Sequence, residues 1–311
     1  MKPPPAFRAG SYTLRQVECF VAVADAGSIA SAARLLHLSE SAVAEALGSF
    51  EGAFATTLLV RQRARGIELT SDGIAVLASA RDLLRQSERL SAVLGPEAGQ
   101  ASGVVRVGAV QALAPSVLPL LLVVMQREFP AVEVRYTIAD QHELVDALRE
   151  GRLDAVLAFD IDVSHELPSY TLDRTQATVV VHDGHPLALR EVVELRELSD
   201  EPMVLLDIDT ARTHTLELMG RAGVRPRIAH RAIDVELCRA MVGQGLGYSI
   251  LMSDSDPQLT WDGNRVRHLR IAPESPVIDI KLVWRDADPN TAVSLLLRVA
   301  DEVRRGVEAA P

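Results

Sequence analysis

The sequence predicts an α/β protein of more than one domain, with a small helical head ahead of a larger part in which strands and helices alternate. Three observations carry this reading: helix-turn-helix spacing over Ser28–Phe50, one long helical run stopped at Gly95-Pro96, and strand-helix alternation from Val104 onward. At 311 residues, 48% of them hydrophobic, the chain is long enough for two or three domains with their own cores.

The first helix starts at Thr13-Leu14-Arg15-Gln16, where Thr and Gln stand at capping-box spacing. Leu14, Val17, Phe20, Val21 and Ala24 follow at helical intervals until Gly27. Ser28 caps a short second helix whose face is Ala32, Ala33, Leu35 and Leu36, small enough for another helix to approach closely. His37-Leu38-Ser39 is the turn, and Ser39 caps a third helix with the stripe Val43, Ala46, Leu47, Phe50 and Phe54. Such a pair places its second helix in the DNA major groove when it binds DNA. The outer face would carry Glu40, Ser41, Ala44, Glu45, Gly48 and Gly52, which includes two acids and no base.

Leu58–Arg61 and Ile67–Leu69 read as a hairpin around Gln62–Gly66, hence a wing. Arg61, Arg63 and Arg65 suit it to phosphate or minor-groove contact. Thr70–Leu94 reads as one helix with Val76, Leu83 and Leu90 seven apart and Ala80 and Leu94 near the intervening positions. This seam implies a homodimer, a helix lying on its own domain being the alternative. Glu97–Gly103 is a small-residue linker.

From there Val104–Val110, Val132–Ala139 and Ala155–Phe159 read as strands, with helices at Leu113–Glu128 and Gln141–Arg149 between them. A second alternation has strands near Thr178–His182, Met203–Leu206, Ile228–Ala232 and Tyr248–Met252, and helices near His214–Ala222 and Val235–Val242. Ile278–Trp284 and a helix over Thr291–Val307 close the chain. Two lobes with a cleft between them fit this order, and ligands of such sheets sit beyond the carboxyl ends of the strands. Asp160 and the pair Asp207 and Asp209 fall there, either as ligand contacts for a cationic or hydroxyl-rich molecule or as helix caps and hinge residues.

The net charge of −10 is uneven: residues 1–95 hold ten Lys/Arg against nine Asp/Glu, and 96–311 hold twenty-two against thirty-three. The acidity therefore lies outside the head, although the head is only weakly basic for a phosphate-binding module. No run of about 18 apolar residues and no secretory core is present, so a cytoplasmic protein without membrane contact is expected. Cys19 and Cys238 match no metal or redox spacing and read as reduced, buried thiols. His182-Asp183-Gly184-His185 lacks a third ligand and reads as a turn. Gly243-Gln244-Gly245-Leu246-Gly247 follows a helix, the reverse of a dinucleotide fingerprint. Asp207, Asp209 and His214 come with no nucleophile motif, so neither an enzyme nor a cofactor is expected.

Six segments, LRQVECFVAVADAGSIASAARLLHLSESAV, LLVRQRARGIELTSDG, VRVGAVQALAPSVLPLLL, LREGRLDAVLAF, VVVHDGHPLA and MVGQGLGYSIL, stand in the order and spacing of the LysR-type transcriptional regulators, which the chain resembles from Leu14 to Val307. The resemblance implies a winged helix-turn-helix over 1–69, a linker helix over 70–95 that dimerises, a flexible linker over 96–103, and a periplasmic-binding-protein-like effector domain over 104–311. Lobe I would be 104–161 with 267–311, and lobe II 162–266. It further implies double-stranded DNA and a small-molecule effector as partners, and a homodimer usually doubled into a tetramer. DNA contacts fall on Ser28, Ser39, Glu40, Ser41, Glu45, Arg61, Arg63 and Arg65, and effector contacts on Val110, Gln111, Ala112, Asp160, Asp207 and Asp209.

Two departures stand out. Recognition helices of the family often carry Gln and Arg or Lys where Glu40 and Glu45 stand, and Glu accepts hydrogen bonds only, for example from a cytosine amino group. Either the protein reads an unusual site or its DNA binding is weak. In the cleft, Val110 and Ala112 replace the family's small hydroxyl residues, so the effector is expected not to be a simple carboxylate. A solute receptor without a DNA role and a head converted to protein interaction are the competing classes.

Overall fold

A computed structural model describes residues 12–62, 66–93, 101–161, 166–252 and 258–308, with side chains described for these except 61–62, 88–93 and 308. Two compact units emerge, 1–103 with 147–153, and 104–146 with 154–311. The first unit contains α1 (Leu14–Ala26), α2 (Ile29–Leu36), α3 (Glu40–Phe54), β1 (Leu59–Gln62), β2 (Gly66–Leu69) and α4 (Ser71–Val93).

Local chemistry sets each boundary in the head. At α1, the Gln16 amide donates to Thr13 Oγ1 at 3.3 Å and the Thr13 amide donates to Gln16 Oε1 at 2.8 Å, a closed capping box. Gly27, at φ +64°, ends the helix. Ser28 and Ser39 accept from Ser31 N and Ala42 N at 3.2 Å and cap α2 and α3. Val17, Phe20, Val23, Ala32, Val43, Leu47 and Phe50 form the core under the helix pair. Phe54, the last residue of the expected stripe, stays 41% exposed, with Tyr12 stacked on it at 5.6 Å.

The hairpin is tied to this core at two points. Glu51 Oε1 accepts from the Leu58 and Leu59 amides at 2.7 and 3.1 Å, and the Ile67 amide donates to Gly27 O at 2.9 Å. A Cβ at Gly66, which has φ +86°, would lie 2.7 Å from Gly27 O, so glycine is required for that approach. In α4, Leu77 and Ala80 are buried in the head core, with Val76 and Leu83 packed against it. The expected dimer seam thus runs, at Val76, Ala80 and Leu83, along the protein's own head. The side chain of Leu90, and Leu94 altogether, lie outside the described residues. Arg81 is buried and paired with Asp25 near the end of α1.

The second unit continues with β3 (Gly103–Val110), α5 (Ala114–Glu128), β4 (Val132–Ala139), α6 (Gln141–Arg149), β5 (Ala155–Phe159), β6 (Ser169–Thr175), β7 (Ala177–His182), β8 (Val192–Glu194), β9 (Pro202–Leu206), α7 (Asp209–Arg221), β10 (Arg227–Ala232), α8 (Val235–Gly243), β11 (Ser249–Met252), β12 (Val266–Ala272), β13 (Ile278–Trp284) and α9 (Thr291–Glu308). One sheet has the order β4-β3-β5-β13-β6, with β3 and β5 parallel and β13 antiparallel to both neighbours. The other lobe holds β11-β7-β12-β8 and the parallel pair β10-β9, joined by a bridge from Met203 to Tyr248.

This topology corrects the expected lobe boundaries. β6 belongs to the first lobe and β12 to the second, so the chain crosses at Gln176 and again after Ala272 rather than at 161/162 and 266/267. β6, SYTLDRT, is an edge strand whose polar residues hide its alternation. The apolar β12, with Val266, Leu269 and Ile271 buried, pairs with β7 in the second core instead. The crossings are bonded to each other: Gln176 Nε2 donates to Ser275 O at 2.9 Å, and Ser275 Oγ to Ala177 O at 3.2 Å.

The remaining motifs have structural explanations. A Cβ at Gly247 would lie 2.1 Å from Pro202 O, so the glycine-rich segment permits close packing against the start of β9. Asp183 pairs with Arg267 at 2.7 Å, and His185 Nδ1 accepts from Leu187 N at 3.1 Å, capping a short turn of 3-10 helix. Among the described residues no helix is long and apolar enough to cross a membrane.

Candidate functional site

Two surfaces gather the chemistry-bearing side chains. On the head, burying Val43, Leu47 and Phe50 turns the opposite face of α3 to solvent. Ser39, Glu40, Ser41, Ala44, Glu45 and Gly48 are all exposed there. The hydroxyls of Ser39 and Ser41 lie 3.0 Å apart, and Ser39 also caps the helix, so it is held in place from both sides. Glu40 occupies the first turn, where the positive end of the helix dipole favours an acid. The same charge repels a phosphate. Ser28 is half-buried and engaged as a cap. Arg61 lies on β1 opposite Ile67; its side chain, and Arg63 and Arg65 entirely, are outside the described residues. Arg34, exposed on α2 and bonded to Ser31 Oγ at 2.9 Å, is a cation of the head that sequence reasoning did not single out.

In the second unit a cleft of about 700 Å³, part of it open to solvent, lies between the lobes. Val110, Gln111 and Ala112, following β3, line one wall. Gln111 Nε2 donates to Asp234 Oδ2 at 2.9 Å, while Asp234 Oδ1 accepts from Leu237 N at 2.9 Å and caps α8. The bond therefore runs from one lobe to the other. Gln141 also lines the cleft, but its amide is engaged with the chain, accepting from Phe159 N at 3.1 Å and donating to Ile161 O.

The expected aspartates behave differently from a ligand set. Asp160 pairs with Lys281 Nζ at 2.7 Å. Asp207 pairs with Arg212 at 2.8 Å and Arg231 at 3.1 Å, and these bonds, that to Arg212 foremost, hold its carboxyl below the usual range. Asp209 pairs with Arg212 and lies 3.6 Å from His142 Nε2 of the facing lobe. None of the three lines the cleft. Each has a cation beside it, so the picture of free carboxylates awaiting a cationic ligand is corrected.

The opposite wall is the face of α7 formed by Thr210, Ala211, His214 and Thr215. Sequence reasoning began this helix at His214 and so missed the face. α7 starts at Asp209, and the i, i+4 pairs Thr210/His214 and Ala211/Thr215 are the signal that would have found it. Burial pushes the His214 imidazole below its ordinary value of 6.5, opposed by Glu217 and reinforced by Arg221. Apolar side chains including Phe159, Leu206, Ile208 and Ile250 make up much of the rest. Such a surface can hold a small molecule by apolar contact and a few directed hydrogen bonds.

Comparison with known proteins agrees with both halves. Residues 98–305 match the family model described as LysR substrate binding domain, and residues 14–74 the one described as bacterial regulatory helix-turn-helix protein, lysR family. The chain is 30% identical over 243 residues to the HTH-type transcriptional regulator TtuA of Agrobacterium vitis, covering 76% of this chain and 79% of that one. It is 29% identical over 250 residues to a probable hydrogen peroxide-inducible genes activator of Mycobacterium leprae, covering 79% of each. The solved structure of HinK, a LysR family transcriptional regulator from Pseudomonas aeruginosa, superposes with TM-score 0.60 at 29% identity, covering 96% of this chain and 99% of that one.

Proposed function

Since the chain belongs to the LysR family of DNA-binding transcriptional regulators with an effector-binding domain, we propose that it acts by binding rather than catalysis, reading an operator with the outer face of α3 and sensing a small molecule in the interlobe cleft. Ser39, Glu40, Ser41 and Glu45 face the bases, Ser28 lies toward the backbone, and Arg61, Arg63 and Arg65 of the wing supply phosphate or minor-groove contact. The observation that carries this is the division of α3 into a buried stripe and a fully exposed opposite face at the end of a capped turn.

The remainder of α4 pairs with a second copy, two dimers form a tetramer, and the protein works in the cytoplasm. Effector binding changes the relative stability of two arrangements of the lobes, which is the energetic requirement for control of operator affinity. Val110, Gln111 and Ala112 contact the effector, with Asp160, Asp207 and Asp209 supporting the walls through their ion pairs. The peroxide-responsive name of one relative does not transfer as a thiol mechanism. Cys19 and Cys238 are both fully buried, and burial pushes the Cys238 thiol up to about 11.

A mobility-shift titration on the DNA upstream of the protein's own gene, across salt concentrations, tests the head. A specific complex that weakens with salt is expected, with Arg63→Ala weakening it further and Glu45→Arg raising non-specific affinity. The acidic Glu40 and Glu45 favour a second reading, a head that binds another protein. No specific shift at low salt would decide for it.

A further inference from the structure

The cleft combines apolar walls with an unusual set of charges. Among its described lining residues there is no Lys or Arg, and the one carboxylate among them, Asp140, is exposed to water. Lys281, beside Asp160, and Arg212 and Arg231, beside Asp207, are each held in an ion pair with that aspartate. The N-terminus of α7, which could otherwise attract an anion, begins with Asp209. A carboxylate entering the cleft would lose its water and meet no opposite charge, the situation in which desolvation dominates.

An ammonium ion fares somewhat better through Asp140, but a solvated carboxylate returns only a surface-pair energy of about 0–1 kcal/mol. What the cleft does offer is directed hydrogen bonding from neutral groups. His214, Thr210 and Thr215 share one face of α7, and burial keeps the His214 ring uncharged at neutral pH, able to donate from one nitrogen and accept at the other.

We infer that the effector is a neutral, largely apolar small molecule carrying one hydroxyl or carbonyl group, bound at that group by His214 and the threonines of α7 and disfavoured when that group is a carboxylate. This rests on the reading of the cleft as the effector site, and it names the ligand class that the residues of this chain select. The order of preference is neutral, then ammonium, then carboxylate.

The test uses the full chain and three probes on one ring system, 2-naphthalenemethanol, 2-naphthylmethylamine and 2-naphthoate, with binding measured by ligand-observed NMR titration. The alcohol is expected to bind at least roughly tenfold more tightly than the carboxylate, corresponding to about 1.4 kcal/mol. Ala211→Trp, which fills the wall, should abolish binding, and His214→Arg, which adds a cation there, should reverse the order in favour of naphthoate, both with circular dichroism confirming the fold. Naphthoate or the amine binding as tightly as the alcohol in the wild type, with Ala211→Trp still blocking, would overturn the ligand class and leave the cleft as the site. Binding that survives a folded Ala211→Trp would overturn the site itself. Failure of all three probes to bind, or a folded His214→Arg that leaves the order unchanged, would also sink the inference.

Discussion

The amide nitrogen of Gln111 and the carboxylate of Asp234 meet at 2.9 Å across the interlobe cleft, joining the loop after β3 to the cap of α8. Gln111 lines the cleft, and Asp234 has a second duty, at Leu237 N. Substituting one at a time therefore separates lobe closure from helix capping. Gln111→Ala should lower the unfolding free energy by about 1 kcal/mol and leave α8 intact, since one charge-assisted bond at a part-buried site is lost. Asp234→Ala loses the cap as well and should cost about 1 kcal/mol more. Urea denaturation followed by circular dichroism measures both; equal losses would show that the cap contributes little, and no loss in Gln111→Ala would show the same of the bond.

Glu51 holds the wing. One of its oxygens accepts from both Leu58 and Leu59 amides, so Glu51→Ala leaves two donors without that partner at the start of β1. A loss of about 2–3 kcal/mol in the stability of the head is expected, with Glu51→Gln retaining part of it through its amide oxygen. Hydrogen exchange at Leu58 and Leu59 should accelerate in the alanine variant while the amides of α1 change less. Unchanged exchange at those two positions would remove Glu51 from this role.

His214 gives stability a pH dependence of definite sign. Its folded-state value lies below the ordinary 6.5, with burial as the largest cause. The unfolded chain therefore binds the proton more readily, so the contribution of the neutral ring is full above 6.5 and is lost as pH falls from there through the folded value. His185 shifts in the same direction, also through burial, and adds to the slope. Thermal unfolding at a series of pH values should show destabilisation on acidification below 6.5, and His214→Gln should flatten part of it. A slope unchanged in His214→Gln would contradict the assignment.

Cys238 should be inert in the native protein. Its Sγ lies 3.1 Å from Ser249 Oγ in a fully buried site and its thiol is pushed up to about 11. Reaction with a thiol reagent at neutral pH should follow unfolding, and peroxide should leave operator affinity unchanged. Rapid labelling of the folded chain would refute this.

Much of the architecture was legible because it rests on local chemistry. Thr13, Ser28, Ser39 and Gly27 mark boundaries by hydrogen bonds that span only three or four residues, and their sequence spacing is enough to find them. Val110, Gln111 and Ala112, which the family resemblance points to, line the cleft, whereas Asp160, Asp207 and Asp209, which the strand-end rule points to, do not. The failures are non-local. Asp160 finds Lys281 at a separation of 121 residues, and Asp207 finds Arg231, so their neutralisation was invisible until the sheets were assembled. β6 was missed for a related reason: its place is fixed by pairing with β13 far along the chain, and its polar alternation says little without that partner. In the first half of α4 one heptad pattern serves equally for a partner helix and for the head, and at Val76, Ala80 and Leu83 it meets the head.

The bonds between Gln176, Ala177 and Ser275 bear on how much a ligand can say to the rest of the molecule. Two connections fastened side by side resist twisting more than bending, so a hinge at this point would leave the lobes essentially one angle to change. A device with a single angle transmits a quantity but no description of its cause. Two unrelated compounds that bring the lobes to the same angle must produce the same output, and all chemical discrimination has to occur at entry, on the walls. New responsiveness could then evolve by altering a few wall residues such as those of α7, while everything downstream stays as it is.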